Sequence, residues 1–378
     1  MIERTLYPHI HAKIRPGKAV LIFGARRVGK TILLRKIVDE WTSGPTMLLN
    51  GEDATVAEML ATRSVANYRG LLGGVNLLAI DEAQNIPEIG KILKLIVDEV
   101  PGLAVVASGS SSFDLLKNVG EPLVGRSSQF LLYPFSQTEI SQIENPFQTA
   151  AALDSRLIYG AYPDVVLTES FADRAEYLLE IVRSYLLKDI LMVDGIKNAA
   201  KMRQLLKLIA LRVGSEVSLD ELGKTLGMSR NTVERYLDLL EKVFVIYRLG
   251  GFSRNLRNEV SRSSKWYFCD NGVRNAVIGD FSPIELRSDS GVLWENYLIS
   301  ERIKRSNNLA AHDRYFFWRT YSQKEIDLIE ETMSGHLNAF EFKRGNKMPK
   351  IPADFAGAYP QADFRVINRQ NYIPDFIS

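Results

Sequence analysis

Cysteine is almost missing from this chain of 378 residues: Cys269 stands alone, which excludes an internal disulfide. Histidine is scarce too, and His9, His11, His312 and His336 cannot build a Cys/His zinc cluster with one thiol. A reducing, cytoplasmic setting is therefore expected. No apolar run approaches the ~18 residues of a membrane span, and Met1 to Gly17 mixes charges, prolines and histidines without the apolar core of a signal peptide. Neither a membrane partner nor a removed targeting segment is expected. An excess of one charge is also lacking, because 47 basic and 45 acidic residues leave a formal net charge of +2. No global field announces nucleic acid, so any basic patch has to be local. Fixed-period repeats and low-complexity tracts are absent as well.

What is present is enough apolar residue, 46%, to fill two or three cores at roughly 100 to 200 residues per domain. The apolar run Ala19 to Phe23 reads as a buried parallel strand, Gly24-Ala25-Arg26-Arg27-Val28-Gly29-Lys30-Thr31 follows it directly, and a helix begins near Ile32. This is the strand, loop and helix context of a phosphate loop. Its glycines let backbone N–H groups surround phosphates beside a helix N-terminus. Lys30 is placed to reach the β and γ phosphates of ATP, and Thr31 to offer a hydroxyl to Mg2+. Leu77 to Ile80 forms another apolar strand, ending in Asp81 and Glu82. The pair predicts a magnesium-binding carboxylate, Asp81, and a water-orienting one, Glu82. The alternative is that Asp81 caps the following helix.

Thr46 to Asn50 and Ala104 to Ser108 supply further strands of a parallel sheet. A strand inserted between the phosphate-loop strand and the acidic strand marks ATPases with an added catalytic glutamate. Ser108 and Ser110 then fall at a strand tip where a γ-phosphate sensor would lie, or in a plain serine-rich turn. Arg126 precedes the strand Gln129 to Leu132 and is a candidate phosphate contact in its own or a neighbouring subunit, against a plain surface role.

Further on, Ser218 to Gly227 and Ser229 to Lys242 read as two capped helices of a helix-turn-helix. Val243 to Gly250 and the turn beyond would make a wing. Between Arg248 and Lys265 five basic residues (Arg248, Arg254, Arg257, Arg262, Lys265) face one acid, Glu259, so DNA is one candidate partner and interdomain packing the other reading. Near the C-terminus, strands are expected at Asp313 to Trp318, Lys324 to Glu330 and Asn338 to Lys343. Asp327, with Glu341 and Lys343 on one face, gives a D…E-x-K pattern. Carboxylates so placed bind magnesium in phosphodiester cleavage while the lysine stabilises charge. Glu295, on a helix from Leu293 to Arg305, would add a ligand. Lys343 in a structural ion pair is the competing reading.

Taken together, GARRVGKT, LLAIDEAQNIP, SGSS, the Gly125-Arg126 pair and Gly160-Ala-Tyr-Pro163 resemble the prokaryotic AAA-family ATPases whose C-terminal half is called DUF4143. The helix-turn-helix, Tyr267 to Gly272, Gly291 to Asn296, Glu325 to Asp327 and Glu341 to Lys343 continue the resemblance. It implies ATP binding, and similarity to archaeal ATPases that end in a nuclease-like domain. The expected architecture is α/β: a P-loop NTPase (AAA-like, with the additional strand and catalytic glutamate) over 1–140, a helical lid or linker over 141–200, a winged helix over 201–265, and a restriction-endonuclease-like α/β domain over 266–378. The expected function is ATP hydrolysis coupled to a nucleic-acid-associated, nuclease-like domain, with self-association as a further partner. The alternative is a non-cleaving switch or scaffold that recruits a protein.

Overall fold

The computed structural model describes residues 2–110, 123–186, 198–254 and 264–377. After helix α1 (Tyr7–His11), strands β1 (Ala19–Phe23), β2 (Thr46–Asn50), β3 (Leu77–Asp81), β4 (Ala104–Gly109) and β5 (Ser127–Leu131) form a parallel sheet in the order β2-β3-β4-β1-β5. The inserted strand is β4, between the phosphate-loop strand β1 and the acidic strand β3, as the sequence predicts. Burial explains the order. β1 and β4 are buried throughout and β3 nearly so, whereas β2 alternates exposed and half-buried residues at one edge.

Successive strand residues feed opposite faces of the sheet. Val20, Ile22, Ala79 and Val106 join a core with Leu33, Leu34 and Ile37 of α2 (Lys30–Asp39). Leu21, Leu78, Ile80 and Val105 meet a second core on the other face. It is lined by α3 (Ala54–Ala61), α4 (Val65–Leu72) and α5 (Ile89–Glu99), through Leu60, Tyr68, Leu72, Ile92, Leu93 and Ile96. The loop between β1 and α2 thus leaves the carboxyl end of a strand clamped on both faces.

Helices α6 (Gln137–Ile140), α7 (Pro146–Tyr159), α8 (Pro163–Leu167), α9 (Phe171–Glu180) and α10 (Ala199–Leu211) follow, then α11 (Leu219–Leu226) and α12 (Arg230–Lys242). The last two begin where expected, because Ser218 and Ser229 accept hydrogen bonds from Glu221 N and Thr232 N, and Gly227 closes α11 in the left-handed region.

The expected wing is built differently. Strands β6 (Ile246–Gly251) and β7 (Ser264–Phe268) are antiparallel partners, but β6 also runs parallel to β8 (Arg314–Arg319). Both strands therefore belong to a second sheet, β11-β10-β9-β8-β6-β7, with β9 (Glu325–Glu331), β10 (Leu337–Phe342) and β11 (Asp363–Ile367). The boundary expected at 265 falls inside β7. The meander β8, β9, β10 is antiparallel as predicted, and β11 extends it in parallel. Helices α13 (Asn271–Ile278), α14 (Ser290–Asn308) and α15 (Ala353–Ala358) complete the described α-helices, beside short 3-10 and π turns.

Two sequence signposts prove to be halves of one joint. Gly160, at φ +70°, lies so close to Asp270 that a Cβ there would sit 2.0 Å from Asp270 Oδ1, and Asp270 Oδ2 accepts from Ala161 N at 2.7 Å. A Cβ on Gly272 would meet Tyr159 O at 2.1 Å. Asn275 Nδ2 donates to Ile158 O at 2.7 Å. Gly160 to Pro163 and Cys269 to Gly272 are thus explained by packing.

Candidate functional site

The phosphate loop bends through glycines that the fold requires. At Gly24 a Cβ would sit 2.2 Å from Leu132 O, and Gly29 adopts φ +97° as it opens α2. Arg27, exposed, also takes a positive φ of 66°. Lys30 is buried, and its Nζ donates to Gly24 O at 2.9 Å and Ala25 O at 3.0 Å, so the ammonium lies back across the loop it serves. Arg26 is half-buried in the loop, Val28 is fully buried, and Ile32 is 54% exposed on the outer face of α2.

Strand β3 brings its acids to the same place. Thr31 Oγ1 donates to Asp81 Oδ2 at 2.7 Å, and Ser108 Oγ donates to Asp81 Oδ1. Glu82 N donates to Ser108 Oγ and to Asp81 Oδ1, both at 3.2 Å. Asp81 therefore faces the phosphate loop rather than capping a later helix. Glu82 stands in the left-handed region at φ 48°, a conformation that costs energy in a residue with a Cβ. Its side chain is held: Gln84 Nε2 donates to Glu82 Oε2 at 2.5 Å and to Ser110 Oγ at 3.2 Å. A Cβ on Gly51 would come within 2.5 Å of Glu82 O, so this strand end too is closely packed. Ser108 thus orients Asp81, and Ser110 sits behind Glu82. A hydroxyl touching a carboxylate beside a lysine-bearing loop is the oxygen donor set that a hard cation takes, so the residues fit Mg2+.

Arg126 requires a correction. It sits at the amino end of β5, where its O accepts from Ala19 N, whereas the phosphate loop leaves the carboxyl end of the neighbouring strand. The two ends are about 13 Å apart at ~3.3 Å per residue. Its Nε donates to Asp98 Oδ1 at 2.5 Å. Arg126 does not reach the phosphate site of its own sheet.

The C-terminal residues gather, but not as a closed ligand set. Asp327 on β9 accepts from Phe342 N at 2.7 Å, and Lys343 Nζ donates to Glu341 Oε1 at 2.5 Å, the ion pair that was the competing reading. Glu295 on α14 accepts from Tyr267 OH at 2.6 Å. Burial, reinforced by the charges of Glu295 and Glu341, pushes the Asp327 carboxyl well above its ordinary range. Burial likewise raises the Glu295 carboxyl, against Lys265 and the Tyr267 hydroxyl, which lower it. Burial works to lower the Lys343 ammonium, but the hydrogen bond to Glu341 together with the charges of Glu341, Asp327 and Glu295 leaves it raised. Among the described residues no three carboxylate, imidazole or thiol groups converge closely enough to hold a metal ion. As placed, Glu295, Asp327 and Glu341 do not form the shared ligand set expected of them, because backbone, tyrosine and lysine partners occupy the three separately.

Of the described residues in the basic stretch, Arg248 and Arg254 stay exposed and only Lys265 turns inside the protein. Lys265 is 3% exposed and pairs with Glu325, so it cannot face DNA. Arg248 Nε donates to Ser264 Oγ at 2.6 Å, and Arg254 reaches Gly335 O at 3.0 Å and Glu331 at 3.6 Å. Arg257, Glu259 and Arg262 lie outside the described residues. On α12 the outward Arg230, Glu234, Arg235 and Asp238 balance in charge.

Arg4, Gly51 and Gln84 were not singled out from sequence as site residues, and Lys265 was read only as part of the basic stretch. Gln84 carried a signal, a polar side chain two positions after Glu82 at a strand end, whereas Arg4 carried none.

Family models match three stretches. Residues 16–141 match the AAA domain, 150–283 a domain of unknown function, DUF8612, and 290–373 the domain of unknown function DUF4143. The chain is 29% identical over 345 residues to the uncharacterized protein Rv2008c of Mycobacterium tuberculosis, covering 90% of this chain and 74% of that protein. It is 22% identical over 362 residues to the uncharacterized protein MJ1544 of Methanocaldococcus jannaschii, covering 91% and 79%. Among solved structures, domain III of the replication initiation protein DnaA from Thermotoga maritima is similar at 16% identity and a TM-score of 0.29, over 63% of this chain and 89% of that one. Drosophila ORC bound to AT-rich DNA and Cdc6 is similar at 12% and 0.25, over 70% and 85%. Superposition at that level leaves the assignment with the family models and the geometry. By its matched domains and its sheet order, the chain is an AAA-type P-loop ATPase with a C-terminal DUF4143 domain.

Proposed function

We propose that the chain binds ATP with Mg2+ between the phosphate loop and Asp81, and hydrolyses it. The observation that carries this reading is the Asp81 carboxylate, held from one side by Thr31 Oγ1 of the loop and from the other by Ser108 Oγ, with Glu82 next in sequence at the same strand end. Bound Mg2+ would neutralise charge on the β and γ phosphates, with Thr31 and Asp81 as its protein partners. Lys30 turns from the loop carbonyls to the phosphate oxygens, a short swing for a side chain already lying across the loop. Glu82 aligns a water for in-line attack on the γ phosphorus and takes its proton, while the β–γ bridging oxygen departs with ADP. Binding by the parent chain that Lys30→Ala removes is the test, and equal affinity in the variant would refute the reading. Arg126 enters this chemistry only as a residue reaching a neighbouring subunit's site in a self-assembled form.

For the C-terminal domain we propose a nucleic-acid-associated role in a cytoplasmic setting, with Asp327, Glu341, Lys343 and Glu295 as the residues on which any phosphodiester cleavage would depend. Their common neighbourhood around β9, β10 and α14 supports it. A second reading, a non-cleaving ATP-dependent switch that recruits a protein, is favoured by the separate partners these residues take. Incubating the protein with labelled single- and double-stranded DNA and RNA, Mg2+ or Mn2+, and with or without ATP, separates the two. Fragments lost in Asp327→Ala support cleavage, and intact substrate beside active ATP turnover supports the switch.

A further inference from the structure

A phosphate loop whose N–H groups turn inward presents carbonyl oxygens outward, and something must receive them. For Val28 O the receiver is Arg4, 24 positions upstream, whose Nη2 donates to it and also to Tyr133 O at 2.8 Å. Its Nη1 donates to Glu139 Oε2 at 2.9 Å, and the guanidinium carbon lies 4.4 Å from the centre of the Phe135 ring. The arginine is 9% exposed. Glu139 is committed in turn, accepting from Thr5 N at 3.0 Å and Ser136 N at 2.9 Å. Four segments therefore meet on one planar cation: the N-terminal stretch, the phosphate loop, the strand exit at Tyr133 and helix α6. A guanidinium suits this because its fixed fork serves several acceptors at once, which an ammonium cannot copy.

The same stretch is where the DUF4143 helix α14 docks. Gln137 N donates to Glu301 Oε2 at 2.6 Å, Lys304 Nζ to Phe135 O at 3.0 Å, and Asn307 Nδ2 to Leu131 O at 2.7 Å. The carbonyl that Arg4 holds in the loop is linked to this junction through Glu139 and Ser136, whose Oγ accepts from Asn308 Nδ2 of α14 at 3.4 Å.

We infer that Arg4 is a positioning residue of the nucleotide site: it fixes the phosphate loop in its phosphate-receiving shape through Val28 O, anchored by Glu139. The inference rests on the reading of that loop as an ATP site. A loop that must be ordered at the moment of binding binds less tightly than one already ordered. The test is titration of the full-length chain with ATP in Mg2+, comparing the parent chain with Arg4→Met, Arg4→Lys and Glu139→Gln, and reading affinity separately from the number of sites. Arg4→Met is expected to weaken ATP binding by about tenfold or more, the scale of a lost charge-assisted hydrogen bond. Arg4→Lys should recover part of that loss. Damage to the fold would instead lower the number of sites and leave the affinity of the surviving ones unchanged, and that outcome overturns the inference. If Arg4→Met does not fold, Glu139→Gln decides, since it keeps the arginine but removes its anchor: weaker binding supports the inference and parental affinity overturns it. If the parent chain itself binds no ATP, the ATP reading falls. Amide exchange over residues 24–31 in nucleotide-free protein then decides whether Arg4 orders the loop, with faster exchange in the Arg4 variants supporting it and unchanged exchange overturning it.

Discussion

Lys30, Thr31, Asp81 and Glu82 were legible as single residues because their signals are local: each follows a short apolar strand at a fixed offset, and the sheet then brings the two strand ends together. Arg126 was offered with a plain surface role as its alternative, and its place before its strand puts it at the amino end of the sheet, away from the loop. Arg4 and Gln84 escaped, since their partners, Val28 and Glu82 with Ser110, become neighbours only after folding. Gly160 is the residue whose role the structure sharpens most. Its positive φ and the nearness of Asp270 Oδ1 leave no room for a methyl group. Gly160→Ala is expected to cost about 3 kcal/mol or more, read as a lower denaturant midpoint. A change within ~0.5 kcal/mol would show that the joint yields easily.

Elements that depend on caps and periodicity were read closely from sequence, as α11 and α12 show with Ser218, Ser229 and Gly227 at their ends. The strands after them were located but not assigned to their sheet, because hydrogen bonding of β6 to β8 joins segments more than 60 positions apart and leaves no local trace. That pairing also buried Lys265, which turned an expected surface cation into a partner of Glu325. The start of α14 allows a test of its anchoring. Burial alone would raise the Asp289 carboxyl, but hydrogen bonds from Arg287 and Arg274 overcome it and hold it at about 2, below its ordinary 3.8. A depressed carboxyl contributes stability that is present above pH 3.8 and fades as pH falls toward 2. Asp289→Asn should therefore lower stability at neutral pH by roughly 2–3 kcal/mol. The gap between variant and parent should close on acidification over that window. A gap independent of pH would locate the effect elsewhere.

Across the whole molecule, the AAA domain and the DUF4143 domain meet along the chain from the end of β5 to α6, where side chains of α14 reach backbone acceptors and donors. A ligand on the phosphate loop should stabilise the folded chain by mass action, so millimolar ATP with Mg2+ is expected to raise the melting temperature of the parent protein and leave Lys30→Ala unmoved. Equal shifts in both would place the nucleotide away from the loop. The described helices include none long and apolar enough to cross a membrane. The central claim is that the strand-end carboxylates turn ATP over, and phosphate release by the full-length protein beside its Glu82→Gln variant tests it most directly. Phosphate release is expected from the parent chain, with a fall of roughly 100-fold or more in the variant while ATP stays bound. Release at the parental rate from Glu82→Gln would contradict the claim.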